Sequence, residues 1–366
     1  MKKVWSFVIT GGPCSGKTTA LSSMEQELTR RGYHVLIVPE TATELIPNGI
    51  KPFGNCLELL QFQYIVMEKQ LSKEALYRKV AEMLPHEKIV ILHDRGVIDN
   101  KSYITQEQFN KLLQDFHMTE VEARDRYDAV FHLVTAANGA VTAYTLTNNA
   151  ARTETPEEAR RLDELGIANW TGHPHLHVVD NSTDFNGKIR RLMNNVYSAL
   201  GIPELVEIDR KYLVEIPDLD AVSSINFTEV EIVQTYLKSA YNNMEIRLRK
   251  CGQNGSFSYY LTQKIDLGNG SKRIETERKI SQKEYISSLS QKDYSLTPIV
   301  KKRYFFAFKT QYFKLDVFNF SDNHALLEID CALDASVEIP KFINVLREVT
   351  GSPFYRNSAL SKSQSL

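Results

Sequence analysis

The chain has 366 residues, 42% of them hydrophobic, which is enough for two domains with hydrophobic cores of their own. Its 44 Lys and Arg residues nearly balance its 45 Asp and Glu residues, which excludes an overall basic surface that would recruit nucleic acid or an anionic membrane. We therefore expect any affinity for phosphate to come from local arrangements of side chains.

The N-terminal half has the alternating pattern of an α/β domain. Glycines follow the first apolar run too soon for a signal peptide or a membrane span, so that run is predicted as the first strand. Alternating strands and helices predict a parallel sheet with helices on both faces. The predicted strands are 4–10, 34–40, 88–94, 127–134 and 175–181, and the predicted helices are 17–31, 57–84 and 185–200.

The C-terminal half has a different period. From residue 204 to about 331, amphipathic strands alternate with turn signals such as GQNGS and GNGS, which predicts an antiparallel β domain that we expect to close into a barrel. A capped helix is predicted over residues 340–351. The predicted domains are 1–203 and 204–355, followed by a disordered Ser-rich tail at 356–366.

A glycine-rich motif connects the first predicted strand to the first predicted helix. It satisfies the pattern GxxxxGK[ST], and these flanking elements are the context in which that pattern forms a P-loop. Backbone N–H groups of such a loop surround phosphate oxygens, while Lys17 would reach the β and γ phosphates and Thr18 would ligate Mg²⁺. The predicted nucleotide-binding residues are Gly11, Gly12, Pro13, Cys14, Ser15, Gly16, Lys17, Thr18 and Thr19.

Polar residues at the ends of the next strands are candidates for the same site. Asp94 ends the third strand, where it would orient a Mg²⁺-bound water or take a proton from an acceptor; a simple turn residue is the alternative. Arg95 follows it, and Glu40 ends the second strand, where it would hold an acceptor or serve a surface or capping role. The polar segment containing Arg152 is predicted as a lid over the phosphates, with a solvated helix of paired charges as the alternative.

These motifs resemble those of a known family. GGPCSGKTT, VPE at the second strand, HDRGVID at the third, ARTET in the predicted lid and VVDNST near the end are similar to small P-loop ATPases labelled AAA, which also resemble nucleoside and nucleotide kinases. The resemblance covers roughly residues 3–201. It implies binding of ATP or GTP and leaves the phosphoryl acceptor open.

Charged residues recur at every second position in the C-terminal half. Because side chains alternate across a strand, each such group lies on one face. A solvated face would explain any single strand, but the repetition favours a barrel with a polar interior, in which cations neutralise a polyphosphate and carboxylates hold Mg²⁺ or Mn²⁺. The charged segments begin at Glu207, Arg247, Thr262, Glu275, Lys301, Lys314 and Glu328.

This half resembles the CYTH proteins, also called triphosphate tunnel metalloenzymes. VEIDRKYLV at 206–214 is similar to the ExExK strand of that family, with Asp209 in place of the second Glu, and the resemblance runs to about residue 350. By position, it implies phosphate binding by Lys211, Arg247, Arg249, Lys264 and Arg303. It also implies that metal ligands, or a base that activates water, come from Glu207, Asp209, Glu275, Glu277, Glu328 and Asp330.

Two functions are consistent with these motifs. The first is an ATPase, GTPase or small-molecule kinase joined to a metal-dependent domain that binds or hydrolyses a triphosphate, with Lys17, Asp94, Glu207 and Asp209 as catalytic residues. The second is a regulatory protein gated by GTP or ATP, whose tunnel binds an anionic ligand such as a phosphoinositide head group at a membrane surface. The four cysteines form no CxxC pair, so we expect a cytoplasmic protein without a disulfide framework, a transmembrane segment or a nucleic-acid partner.

Overall fold

The structure is a computed structural model in which the chain divides into two compact units, Met1–Met193 and Asn194–Leu366. It describes residues 2–140, 155–202, 208–222, 225–241, 243–266, 273–309, 311–331 and 337–366. The predicted fold classes are confirmed, since one unit contains a parallel sheet with helices and the other an antiparallel sheet. The division falls inside a helix that ends at Ala199, so the domain boundary at residue 203 remains a prediction.

The first unit alternates strands and helices along the chain. Its strands are β1 Lys3–Thr10, β2 His34–Val38, β3 Lys88–Asp94, β4 Ala129–Leu133 and β5 Leu176–Val179. Its helices are α1 Lys17–Arg30, α2 Thr41–Leu45, α3 Leu59–Met83, α4 Gln106–Asp115, α5 Glu120–Arg124, α6 Pro156–Trp170 and α7 Phe185–Ala199. The parallel strands have the order β2-β3-β1-β4-β5, which places β1 between β3 and β4. The loops that follow these three strands therefore meet at one edge of the sheet.

The second unit is built on a nine-stranded antiparallel sheet. Its strands are β6 Ile208–Glu215, β7 Thr228–Leu237, β8 Met244–Gln253, β9 Ser256–Asp266, β10 Arg273–Ile280, β11 Ile299–Phe308, β12 Gln311–Phe318, β13 His324–Cys331 and β14 Val345–Glu348. Its helices are α8 Gln282–Ser288 and α9 Asn357–Ser363. The order is β10-β9-β8-β7-β11-β12-β13-β6-β14, and the pairings of the described residues leave β10 and β14 at the edges.

The prediction of a helix over residues 340–351 is wrong. Residues Val345–Glu348 instead form β14, which pairs with β6 on the side opposite β13. The N–H of Val349 also donates to the carbonyl of Lys211 at 2.7 Å. An available strand edge outweighs the local helical pattern here, because strand pairing is decided by tertiary context.

The tail predicted as disordered contains the helix α9. Leu360 is 1% exposed and packs in a cluster that includes Ile299, Phe318 and Tyr355. Ser361 donates to the carbonyl of Thr297, which fixes the helix to the segment before β11. The Ser-rich composition predicted disorder, whereas the burial of Leu360 is what anchors the segment. No helix within the described ranges is both long enough and apolar enough to cross a membrane.

Candidate functional sites

The loop between β1 and α1 has a backbone that only glycine permits at two positions. Gly11 and Gly16 have φ angles of 146° and 88°. A Cβ atom at Gly11 would lie 2.2 Å from the carbonyl oxygen of Leu133, and one at Gly16 would lie 2.6 Å from the ring of Phe185. Helix α1 begins at Lys17, so the positive end of its dipole lies at this loop. The loop therefore combines a tightly curved glycine backbone with the positive electrostatic field of a helix N-terminus, which favours anions.

Lys17 lies over the loop that precedes it. Its Nζ donates to the carbonyl oxygens of Gly11 at 3.0 Å and Gly12 at 3.4 Å, and only 8% of the residue is exposed. Thr18 and Thr19, in the first turn of α1, are exposed. A buried lysine and accessible hydroxyls thus occur together at the start of one helix.

Asp163 on α6 supports the other side of the P-loop. Its Oδ1 accepts hydrogen bonds from the N–H groups of Gly12 at 2.8 Å and Thr135 at 3.1 Å. The hydroxyl of Thr135 donates in turn to the carbonyl of Pro13, and Ser15 is buried while Cys14 is half-buried. No local sequence pattern marks Asp163, which reaches Gly12 from 151 residues further along the chain.

Asp94 ends β3 next to the P-loop strand, since Ile9 of β1 pairs with it. Burial, followed by the negative charge of Glu40, raises the pKa of Asp94 against the opposing charges of Lys17 and Arg95. Its Oδ1 is buried and has no hydrogen-bond partner among the described residues. An orphaned carboxylate oxygen beside a phosphate loop fits either a hydrated Mg²⁺ or a proton from an acceptor.

Glu40 and Arg95 form an ion pair beside Asp94. The Nε of Arg95 donates to Glu40 at 2.5 Å, and Arg95 has a left-handed φ of 71°, which is uncommon for a residue with a side chain. Burial raises the pKa of Glu40, but the charges of Arg95 and Lys17 outweigh this effect and lower that pKa to about 2. The pair is therefore ionised, and its contact with a phosphoryl acceptor stays a prediction.

Asp99 holds the turn that follows β3. Its two carboxylate oxygens accept from the hydroxyl of Thr10 at 2.5 Å, the N–H of Gly96 at 2.7 Å and the indole of Trp170 at 3.1 Å. It is 4% exposed. This aspartate belongs to HDRGVID, the segment that supplied Asp94, yet its role is to fix the loop rather than to face the site.

The predicted lid is only partly within the described structure. Arg152 lies outside the described residues. Arg160 on α6 donates to Glu157 at 2.8 Å and to the carbonyl of Ala137 at 3.0 Å. Arg161 lies 3.8 Å from Glu158. These two arginines therefore follow the alternative of a helix with paired charges.

The charged residues of the second unit share one face of its sheet. Directly paired residues in antiparallel strands point to the same side. The register pairs Arg247 with Thr262, Thr262 with Glu277, and Lys264 with Glu275. It also pairs Glu328 with Lys211, and the pairs along β7, β11 and β12 connect both groups. The described side chains brought together are Lys211, Arg247, Arg249, Lys264, Arg303, Glu275, Glu277 and Glu328.

Ion pairs link these cations and carboxylates across the strands. Arg249 lies 2.5 Å from Glu277, and both side chains are 10% exposed. At the more exposed end, Lys264 and Arg247 approach Glu275 at 2.7 Å and 3.3 Å. At the other end, Lys211 and Arg303 approach Glu328 at 2.7 Å and 3.0 Å. The face is therefore a largely buried network rather than a set of solvated charges.

Lys301 and Asp316 also belong to this face, in two of the charged segments named from the sequence, although the family resemblance implied no individual role for them. Lys301 and Arg303 both bind Asp316, at 2.5 Å and 2.6 Å, and the Asp316 side chain is 1% exposed. Burial lowers the pKa of Lys301 to about 8 against the opposing charge of Asp316. The period-two pattern marked both residues as charged positions, but it did not show that they bind each other.

The predicted metal ligands of the second unit are only partly described. Glu207 and the side chains of Asp209 and Asp330 lie outside the described part, although the backbones of Asp209 and Asp330 pair across β6 and β13. The described part of the chain contains no group of three or more His, Cys, Asp or Glu residues that could hold a metal ion. The described residues of this unit therefore do not form a complete metal site by themselves.

A family model described as an AAA domain matches residues 6–188, which is half of the chain. The chain belongs to this family. No curated protein matches the chain. Among solved structures, the inorganic triphosphatase NE1496 is 25% identical over 44% of this chain and 97% of its own, with a TM-score of 0.33. The thymidylate kinase from Ehrlichia chaffeensis is 15% identical over 53% of this chain and 98% of its own, with a TM-score of 0.37.

Proposed function

We propose that the chain binds a nucleoside triphosphate with Mg²⁺ at its P-loop and a triphosphate on the charged face of its second unit. The first site would act as an ATPase, a GTPase or a small-molecule kinase, and the second would bind and hydrolyse its ligand. The observation that carries the proposal is the gathering of five predicted cations on one largely buried sheet face. Because burying charge is costly, such a face differs from an ordinary solvated surface.

The residues of the first site have complementary roles in phosphoryl transfer. Lys17 and the backbone N–H groups of the P-loop would neutralise the charge that develops on the transferred group. Thr18 would hold Mg²⁺, which would supply further positive charge at the phosphates. Asp94 would either orient a water bound to that ion or take a proton from an attacking hydroxyl, and its raised pKa suits the second role. Glu40 and Arg95 would position the acceptor.

The second site would exchange its internal ion pairs for ligand contacts. Glu275, Glu277 and Glu328 pair with cations of this face. A triphosphate would compete for the same guanidinium and ammonium groups, which suit its many oxygens. The released carboxylates, together with Glu207, Asp209 and Asp330, would then be available to ligate Mg²⁺ or Mn²⁺ and to activate water.

The second candidate is a regulatory protein gated by GTP or ATP, whose second unit only binds an anionic ligand such as a phosphoinositide head group. The pairing of Glu275, Glu277 and Glu328 with cations favours this candidate, because carboxylates that hold cations in place are sufficient for a binding site. Release of phosphate distinguishes hydrolysis from binding alone.

Phosphate release from ATP, GTP and tripolyphosphate, measured on the full chain with Mg²⁺ or Mn²⁺, tests the proposal. We expect Lys17→Met to abolish release from ATP and GTP and to leave release from tripolyphosphate. Lys264→Met should have the opposite effect, whereas Lys302→Met is the matched control, because Lys302 alternates to the other face and is 56% exposed. Binding of tripolyphosphate without release of phosphate would favour the regulatory candidate. If the chain neither binds tripolyphosphate nor releases phosphate from it, both candidates are refuted.

A further inference from the structure

Lys188 on α7 is a buried cation behind the P-loop that no sequence motif marks. Its Nζ donates to the carbonyl oxygens of Ser15 at 3.2 Å and Val134 at 2.6 Å, and to Oδ1 of Asn181 at 2.8 Å. Only 3% of the residue is exposed. One ammonium group therefore joins the P-loop, the residue after β4 and the segment after β5.

Asn181 reinforces the same connection. Its Nδ2 donates to the carbonyl oxygens of Thr135 at 2.8 Å and Asn138 at 2.6 Å. The amide is thus held by the segment after β4 on one side and by Lys188 on the other. Because both of its polar atoms are engaged, the position of its Oδ1 is fixed, and so is the acceptor it offers to Lys188.

The contact with Ser15 determines which way a P-loop amide points. The described residues contain no cis peptide bond, so the C=O of Ser15 and the N–H of Gly16 lie on opposite sides of one planar peptide. When Lys188 binds the Ser15 carbonyl, the N–H of Gly16 is directed away from Lys188. In a P-loop, amides of this segment are the groups that bind phosphate oxygens.

We infer that Lys188 is a positioning residue for nucleotide binding, which holds the Ser15–Gly16 peptide in the orientation that binds phosphate. This inference rests on the proposed nucleotide site and assigns it a residue outside the P-loop. The three Nζ contacts of Lys188 all go to protein oxygens, so Lys188 acts through the backbone of the loop, and its positive charge also favours an anion there.

The protonation of Lys188 makes this role dependent on pH. Burial lowers the pKa of Lys188 to about 8, with the charges of Asp163 and Asp180 opposing that effect and those of Arg191 and Lys17 adding to it. Below that pH the ammonium has three donors for its three acceptors. Above it, the amine loses one donor and its charge, so nucleotide affinity should fall as the pH rises through about 8.

Equilibrium titration of the full chain with a fluorescent ATP analogue and Mg²⁺, from about pH 6.5 to about 9.5, measures this effect. The unmodified full chain is the reference protein. The reference should lose about tenfold in affinity as Lys188 deprotonates. Lys188→Met should bind the ATP analogue weakly, with an affinity that does not change with pH. Lys188→Arg should bind it with an affinity that likewise does not change with pH. Lys79→Met, on the exposed face of α3, is the control.

The outcomes separate this inference from the nucleotide site itself. Any ATP binding that remains in Lys17→Met comes from outside the P-loop, and it is subtracted from the titrations of the other variants. A reference protein that binds no ATP would refute the nucleotide site, whereas a Lys188→Met protein that binds within about twofold of the reference, with the same pH profile, would overturn only the role of Lys188. If a thermal unfolding assay shows that Lys188→Met does not fold, the reference protein decides alone. An ATP affinity of the reference that does not change with pH would then overturn the role of Lys188.

Discussion

Removal of Arg249 should destabilise the second unit strongly, because it leaves a buried carboxylate without its cation. Arg249 and Glu277 lie 2.5 Å apart with 10% of each side chain exposed, and the guanidinium also lies 4.9 Å from the centroid of the Tyr260 ring. Breaking such a pair from one side costs about 3–5 kcal/mol. We therefore expect Arg249→Met to lower the free energy of unfolding by about that amount.

Two comparisons make this magnitude diagnostic. Arg249→Met combined with Glu277→Gln removes both charges, so the double variant should recover most of the loss and cost less than about 2 kcal/mol. The exposed pair of Lys309 and Glu338, with 57% and 56% of the side chains exposed, is the matched control. Lys309→Met should cost at most about 1 kcal/mol, because water screens this pair.

Urea unfolding can assign the loss to one unit. Both tryptophans, Trp5 and Trp170, lie in the first unit, so their fluorescence follows that unit, while far-UV circular dichroism follows both. Arg249→Met should shift the circular dichroism transition and leave the fluorescence transition in place. A loss below about 1 kcal/mol, with no recovery in the double variant, would mean that the charged face is open to water.

Two further variants give three tests of other parts of the structure. Glu40→Gln removes a charge that raises the pKa of Asp94, so the acid limb of the pH–rate profile for ATP hydrolysis should move to lower pH; an unmoved limb would assign it to another group. The same variant should lose on the order of 3 kcal/mol at neutral pH, because Glu40 has a pKa of about 2 instead of 4.5. Because the pKa of Glu40 is lower in the folded state than in the unfolded state, its charge stabilises the fold at pH values above 4.5. The urea midpoints of wild type and variant should therefore converge as the pH falls from 4.5 towards 2. A constant difference between the two midpoints would contradict this. Leu360→Ala should cost about 2–5 kcal/mol in urea unfolding, since Leu360 is 1% exposed, and an unchanged midpoint would mean that α9 is not packed.

Local signals in the sequence were sufficient for the parallel sheet. Its strands are apolar runs next to helical periods, and the P-loop pattern fixes the turn between β1 and α1. The period-two charges likewise predicted a shared face, because strand geometry alone sets which side each residue occupies. The positions of Arg249, Glu277 and Lys211 on one face follow directly from that rule.

Features that depend on distant contacts could not be read from the sequence. Lys188 and Asp163 are separated from the P-loop by more than a hundred residues, and only the fold brings them behind it. Residues 345–348 look helical in isolation but complete a sheet edge. Asp316 resembles any other charge in its strand until the structure shows it binding both Lys301 and Arg303.

Calorimetric titration of the full-length Lys17→Met protein with tripolyphosphate and Mg²⁺ examines the second site alone. We predict saturable one-to-one binding, weakened at least about tenfold by the additional change Lys264→Met and unaffected by Lys302→Met. Absence of saturable binding, or equal weakening by both lysine changes, would contradict a phosphate site on the charged face of the sheet.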